Sequence, residues 1–190
     1  RRVLFRSVVA TGGVGSNVIQ VARAFGAYPI VAIDVRDDKL AAARELGATE
    51  DGAKAFFRNF TYTLTMQTRL IAALLAVRVP GAGDYLETAA EAEGEREALF
   101  YVESAELLQR FHGNSPVASM LTDSRAVVAR MPAGQAVALL PFDWLRRSAA
   151  TTAEFRELAE RAKKELGAVS LHVRVTGKIT DAAARELATI

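Results

Sequence analysis

Ala10-Thr-Gly-Gly-Val-Gly15 stands between a short apolar strand and a helical pattern, and side chains this small let a backbone turn tightly beside an anion. A helix that begins there offers unpaired N–H groups and the positive end of its dipole, so the chemistry of the turn is pyrophosphate binding. Ala10, Gly12, Gly13, Val14 and Gly15 are the candidate phosphate contacts; Gly12 allows the backbone close to the anion, and Gly15 lets the helix pack on the strand. Nineteen positions past Gly15, at the end of the next strand, stands Asp34. A carboxylate there accepts hydrogen bonds from both hydroxyls of an adenosine ribose and repels a ribose phosphate, which predicts NAD rather than NADP as the dinucleotide.

The elements that must position these residues are legible around them. Val8 to Ala10 end a first strand, and Val14, Val18, Val21, Ala22 and Phe25 form the apolar stripe of a helix from Gly13 to Phe25 that Gly26 ends. Ile30 to Asp34 is apolar at every position but the last, as a parallel strand covered on both faces must be. Pro29 stands just before it, where a missing N–H costs little. Asp37 caps the next helix, in which Leu40, Ala43 and Leu46 share a face and Gly47 closes the last turn. The pattern is β-α-β-α, with both strands expected as parallel neighbours in a three-layer arrangement.

At this point the sequence resembles a known family. Val8 to Thr49, with the glycine turn, Val21-Ala-Arg-Ala-Phe-Gly-Ala27, Val31-Ala-Ile-Asp34 and Asp38-Lys-Leu-Ala-Ala-Ala-Arg-Glu-Leu-Gly-Ala48, is similar to the coenzyme domain of the medium-chain, zinc-type alcohol dehydrogenases. The resemblance implies that the glycines hold the pyrophosphate, that Asp34 holds the adenine ribose, and that Arg36 and Lys39 lie beside the adenosine. It implies hydride transfer between NAD and an alcohol or carbonyl compound, with zinc polarising the oxygen. One departure is that Ala10 replaces the first glycine of the G-x-G-x-x-G pattern. Another is that the chain has no cysteine and only two histidines, His112 and His172, so the family's zinc ligand set is not recognisable in it. A third strand and a second mononucleotide-binding half should follow Ala48, and no such pattern is visible in residues 50–190.

The chain is therefore read as α/β: a Rossmann-like start over residues 8–55, a mixed helix and strand region over 56–190, and a leader over 1–7. Arg1 to Ser7 resembles the adapter read-through found at the ends of metagenomic reading frames, which puts the natural start near Val8. The expected function is an NAD(H)-binding fragment of a dehydrogenase without independent activity. The alternative is a non-catalytic α/β structural or interaction domain, or a rearranged reading frame.

Composition narrows the classes further. Hydrophobic residues make up 51%, enough for a core, and the absence of cysteine removes thiolate metal sites and cysteine nucleophiles. The net charge is +2, three of the arginines fall within the first seven residues, and Asp84 to Glu106 carries eight acids against Arg96, so no basic surface for nucleic acid is expected. The longest apolar run, Leu70 to Val77, is far too short to span a bilayer, and a cytoplasmic protein without a membrane partner is expected.

Beyond residue 55 the patterns predict a helix from Thr63 to Arg78 and an acidic helix from Tyr85 to Ala98 that gives way to the apolar Leu99 to Val102. A short helix from a capping Ser104 to Phe111 and a hairpin around Pro132-Ala-Gly134 follow. Then come a turn at Pro141 to Trp144, a helix opened by the capping box of Thr151 and Glu154 and stopped by Gly167, and a strand from Val169 to Val175. His112 reads as a helix-terminal residue, and His172 as part of a solvated strand face with Ser170 and Arg174. Trp144 with Phe142 reads as core or packed turn, and Glu87, Glu91, Glu95 and Glu97 as a solvated helix face.

Overall fold

The computed structural model describes residues 7–9, 20–22, 24, 25, 31–33 and 38–189. Strands β1 (Ser7–Val9) and β2 (Val31–Ile33) pair in parallel, with Val8 opposite Ala32 and Val9 opposite Ile33, as the continuous apolar character of both requires. They form a sheet of their own. Residues 20–22 are helical, and the Phe25 N–H donates to the Val21 carbonyl at 3.0 Å. The stripe expected to bury this helix is open there: Val21 is 55% and Phe25 87% exposed. A two-stranded sheet offers a helix little surface to pack on.

Helix α1 (Asp38–Glu45) ends as its sequence dictates, at Gly47 with φ +89°, where the Ala48 N–H returns to the Ala43 carbonyl. No third strand follows α1 directly. Thr49 accepts from the Gly52 N–H through its hydroxyl, Glu50 and Asp51 complement the dipole, and helix α2 (Glu50–Arg58) stands where a third strand would follow. Helix α3 (Leu64–Val77) is capped by Thr63 and closed by Arg78 in the left-handed region, at the expected bounds.

Helix α4 (Ala82–Ala89) starts directly after Gly81, and helix α5 (Glu95–Asn114) runs unbroken through Leu99 to Val102. The apolar run and the short helix read from the sequence are thus one element. Ala98, Tyr101, Val102, Ala105, Leu108 and Phe111 recur at helical spacing and carry the helix across. Ser104 lies inside it, fully buried, and caps nothing. Helices α1 to α5 share one core, in which Phe56, Leu70, Leu74, Tyr85, Leu86 and Tyr101 are the bulkiest members.

The second sheet has the order β3-β4-β5-β7, built from β3 (Ser119–Met120), β4 (Val127–Arg130), β5 (Ala136–Leu140) and β7 (Leu171–Val175). The expected hairpin joins β4 and β5, and Gly134 at φ +85° closes its turn with an N–H bond to the Met131 carbonyl. Helix α6 (Ala149–Leu166) links the parallel pair β5 and β7. It begins three residues before the expected box: Ser148 caps it and accepts from the Thr151 N–H, and Gly167 stops it as read. Val127, Ala129, Val137 and Leu139 face the helical core, while Val128, Ala136 and Ala138 face Ala162 of α6, giving three layers. Past Leu140 the β5–β7 pairing resumes as a second parallel pair, β6 (Trp144–Leu145) with β8 (Lys178–Ile179), and helix α7 (Asp181–Leu187) follows a Thr180 cap. Among the described residues no helix is long and apolar enough to cross a membrane.

Two contacts make quantitative demands. A Cβ on Gly83 would lie 2.5 Å from both the Ala48 nitrogen and the Gly47 carbonyl carbon, so α4 reaches the end of α1 only because position 83 has no side chain. Gly83→Ala is expected to cost about 1–3 kcal/mol through overpacking against backbone. Gly113→Ala, where a Cβ meets nothing within 4 Å, should be neutral or slightly stabilising; thermal denaturation of both checks the pair.

Arg69 of α3 grips Glu106 of α5 through two bonds of 2.7 and 2.9 Å, and these bonds with the guanidinium charge hold the Glu106 carboxyl below its ordinary range. A carboxyl depressed on folding contributes stability that is complete above its unfolded pKa and is lost as pH falls through the lower folded value. The pair is partly solvent-screened, so Glu106→Gln is expected to cost about 0.5 kcal/mol at neutral pH and nothing at a pH below the folded value, measured by urea denaturation at both.

Candidate functional site

The parallel register of β1 and β2 puts Val9 opposite Ile33, and in sequence Ala10 follows the one and Asp34 the other. In open parallel sheets ligands bind outside the carboxyl ends of neighbouring strands, which is the end these two candidates adjoin. Ala10, Gly12, Gly13, Val14, Gly15, Asp34 and Arg36 themselves lie outside the described residues. Lys39 is described: it stands half-buried in the first turn of α1.

The other residues that the sequence singled out are dispersed. His112 ends α5, and its Nδ1 accepts the Val117 N–H at 3.2 Å, a bond that uses the ring lone pair to fasten the turn into β3. His172 is exposed on β7, with Ser170 Oγ 3.5 Å from its Nε2. Arg174 on the same face lies over the Phe111 ring at 5.0 Å. Glu87, read as solvated, accepts the Thr49 N–H at 2.6 Å and so ties α4 to the start of α2. Glu97 pairs with Arg125 at 3.4 Å.

Zinc does not fit this donor set. There is no cysteine, the inward ring nitrogen of His112 is engaged by backbone, and no group of three or more His, Asp or Glu side chains clusters among the described residues. Three buried tyrosines offer no acid or base near neutrality either. Tyr62 donates to the Ala89 carbonyl and Tyr85 to that of Tyr101, and burial pushes both hydroxyls, like that of Tyr101, above the ordinary tyrosine range.

Sequence reasoning missed the principal concavity. An open groove of about 1440 Å³ runs between the N-terminal half of α5, the segment from Leu140 to Arg146, and α6. Leu99, Phe142 and Trp144 line it at 38%, 36% and 54% exposure, so neither aromatic is core, although Phe142 is packed in its turn. Phe100 stacks on Phe142 with ring centroids 5.8 Å apart, and the Arg146 guanidinium sits 5.3 Å from the centre of the Trp144 ring. Asp123 and Asp143, far apart in sequence, both line this groove. The only early signal was Phe142-Asp-Trp144 directly after Pro141, a proline that breaks a strand and turns aromatic residues outward.

Parallel strands joined through a glycine turn and a helix are a pattern of nucleotide-binding units; here the pairing of β1 with β2 is described, and the turn lies outside the described residues. Residues 13–91 match the family of zinc-binding dehydrogenases, and this part of the chain is similar to the NAD-binding domain of their medium-chain alcohol dehydrogenase members. The match covers less than half of the 190 residues. It runs well past Thr49, where the recognisable motifs end, and so takes in α2, α3 and α4. No solved structure matches the chain.

Because its donors do not gather, the protein is expected to show the same melting temperature with zinc, with EDTA and untreated. A zinc-dependent rise, the linkage signature of a bound metal, would overturn the conclusion that the described donors do not fit zinc.

Proposed function

We propose that residues 8–39 form the adenosine half of a dinucleotide site, which binds NAD(H) weakly through its ADP portion, and that this chain does not transfer hydride by itself. The observation that carries the reading is the parallel pairing of β1 with β2, because it brings the ends preceding Ala10 and Asp34 side by side. The glycine turn supplies the phosphate contacts and Asp34 the ribose contact; Arg36 and Lys39 supply positive charge near the adenosine. The dehydrogenase match supports the ligand class.

The limit on chemistry follows from residues 50–91. In the dinucleotide-binding fold, strands after the second carry the half-site for the reactive ring, and here α2, α3 and α4 occupy that stretch of chain. A nicotinamide left in solvent is not oriented for hydride transfer, and orientation is worth several orders of magnitude in rate.

Calorimetric titration tests both parts. ADP-ribose and NADH should bind within about twofold of each other, since the nicotinamide adds no contact, and Asp34→Ala should weaken both about tenfold, or about 1.4 kcal/mol. NADPH should bind more weakly than NADH because its ribose phosphate meets the Asp34 carboxylate. NADH binding far tighter than ADP-ribose would reveal a nicotinamide pocket and overturn the half-site. Absence of heat with every ligand would favour a non-catalytic interaction module.

A further inference from the structure

The groove between α5 and α6 has no part in the dinucleotide reading, yet it combines exposed aromatic surface with a net negative lining of six carboxylates to four guanidiniums. Of its four arginines, Arg125 is paired with Glu97. Arg161 spends its guanidinium on Glu165 and on the Thr122 and Asp123 carbonyls. Arg96 and Arg146 remain without an ion pair among the described residues, and Arg146 lies against Trp144. Facing them are five carboxylates, Glu103, Asp123, Asp143, Glu154 and Glu157, whose side chains make no hydrogen bond or ion pair within the described residues.

Phe142 and Trp144 are held outward by the backbone beneath them. Phe142 and Asp143 give their carbonyls to the N–H groups of Gly177 and Lys178, and a Cβ on Gly177 would fall 2.0 Å from the Asp143 oxygen. The two segments are therefore locked together, and the aromatic side chains cannot withdraw into the core, which Leu145 fills against Phe155. Exposed aromatic rings on backbone fixed by hydrogen bonds are a kind of anchor surface that protein partners use.

We propose that this groove docks a basic peptide segment in which lysine or arginine alternates with aromatic or large apolar residues. Charge complementarity selects the sign: unpaired carboxylates outnumber unpaired guanidiniums and attract cations, and the exposed edges of Phe142 and Trp144 offer apolar contact beside them. Size selects the class. A volume of about 1440 Å³ exceeds the roughly 300–1,000 Å³ of compact small-molecule pockets, and the groove is open to solvent, so a peptide segment can enter it.

Trp144 is the one tryptophan of the chain, so its fluorescence reports the groove directly. The 190-residue protein is titrated with a terminally blocked hexapeptide alternating lysine with phenylalanine. Hexalysine, a glutamate–phenylalanine hexapeptide and spermine are run beside it. The expected result is a saturable blue shift with the lysine–phenylalanine peptide alone, weakened about tenfold between about 0.1 M and about 0.5 M sodium chloride, over which the screening length falls roughly twofold. Asp143→Asn with Glu154→Gln should weaken binding similarly, and Asp123→Asn with Glu157→Gln provides a second exposed pair should the first misfold. No saturable response, or an equal one to the acidic peptide, overturns the proposal. An equal response to hexalysine or spermine also overturns it, because charge alone would then suffice. No dinucleotide is present, so this outcome is separable from that of the coenzyme titration.

Discussion

The hairpin of β4 and β5 is buried on both faces, and the rest of the fold answers that constraint. Val127, Val128 and Ala129, with Ala136 to Leu140, leave almost nothing to solvent, so each face needs its own apolar cover. Helix α5 and the helices behind it cover one face, and α6 with Phe155, Leu158 and Ala162 covers the other. At about 25 cal/mol per Å² of apolar surface this sandwich is the dominant favourable contribution of the C-terminal half. The groove is its by-product. Pro141 has no N–H to continue the ladder, the strand leaves the covered zone, and the pairing resumes only at Trp144 opposite Lys178.

Helix α1 and the helices that follow it within the dehydrogenase-like segment are part of this body. Ala43, Leu46 and Ala48 belong to the helical core, and Gly83 lets α4 lie against the Gly47–Ala48 backbone. A stretch of sequence that elsewhere leads into a third strand is here a capped helix, because Thr49 and the acids behind it stabilise a helix start and Phe56 finds a buried site against Tyr62. Local capping and one aromatic anchor thus set a helix where the resemblance led to the expectation of a strand. Tertiary context decides short elements in this way more often than long ones.

What was legible in the sequence divides along the same line. Elements with strong local punctuation, the parallel β1–β2 unit, α3 between Thr63 and Arg78, the Pro132–Gly134 hairpin and the Gly167 stop of α6, lie where their caps and turns place them. Ser104 misled because a capping residue type says nothing of whether its hydroxyl faces a helix start or a core, and only burial separates the two. The groove was illegible because its walls come from residues 94–161, and two walls meeting across fifty residues leave no periodic trace. The dinucleotide candidates were legible as motif alone, and the parallel register of the two strands that precede Ala10 and Asp34 in sequence is the part that structure adds.

The acids between Asp84 and Glu106 show how composition becomes architecture. As a run they suggest a solvated face or a cation site, but each that has a partner serves a different seam. Glu87 holds the start of α2 through the Thr49 N–H, Glu97 reaches Arg125 at the groove, and Glu106 bridges to Arg69 of α3. A hard cation needs several oxygens converging within about 2.6 Å of one point, and carboxylates dispersed over separate seams cannot converge. The same dispersal leaves Glu103 with the acids of the loops and of α6 along one wall system, so the negative character of the segment reaches solvent as a groove and not as a metal centre. A diffuse negative field beside fixed aromatic rings attracts extended cations rather than point ions, and it is this division, bonds inward and field outward, that gives the C-terminal half a recognition surface of its own.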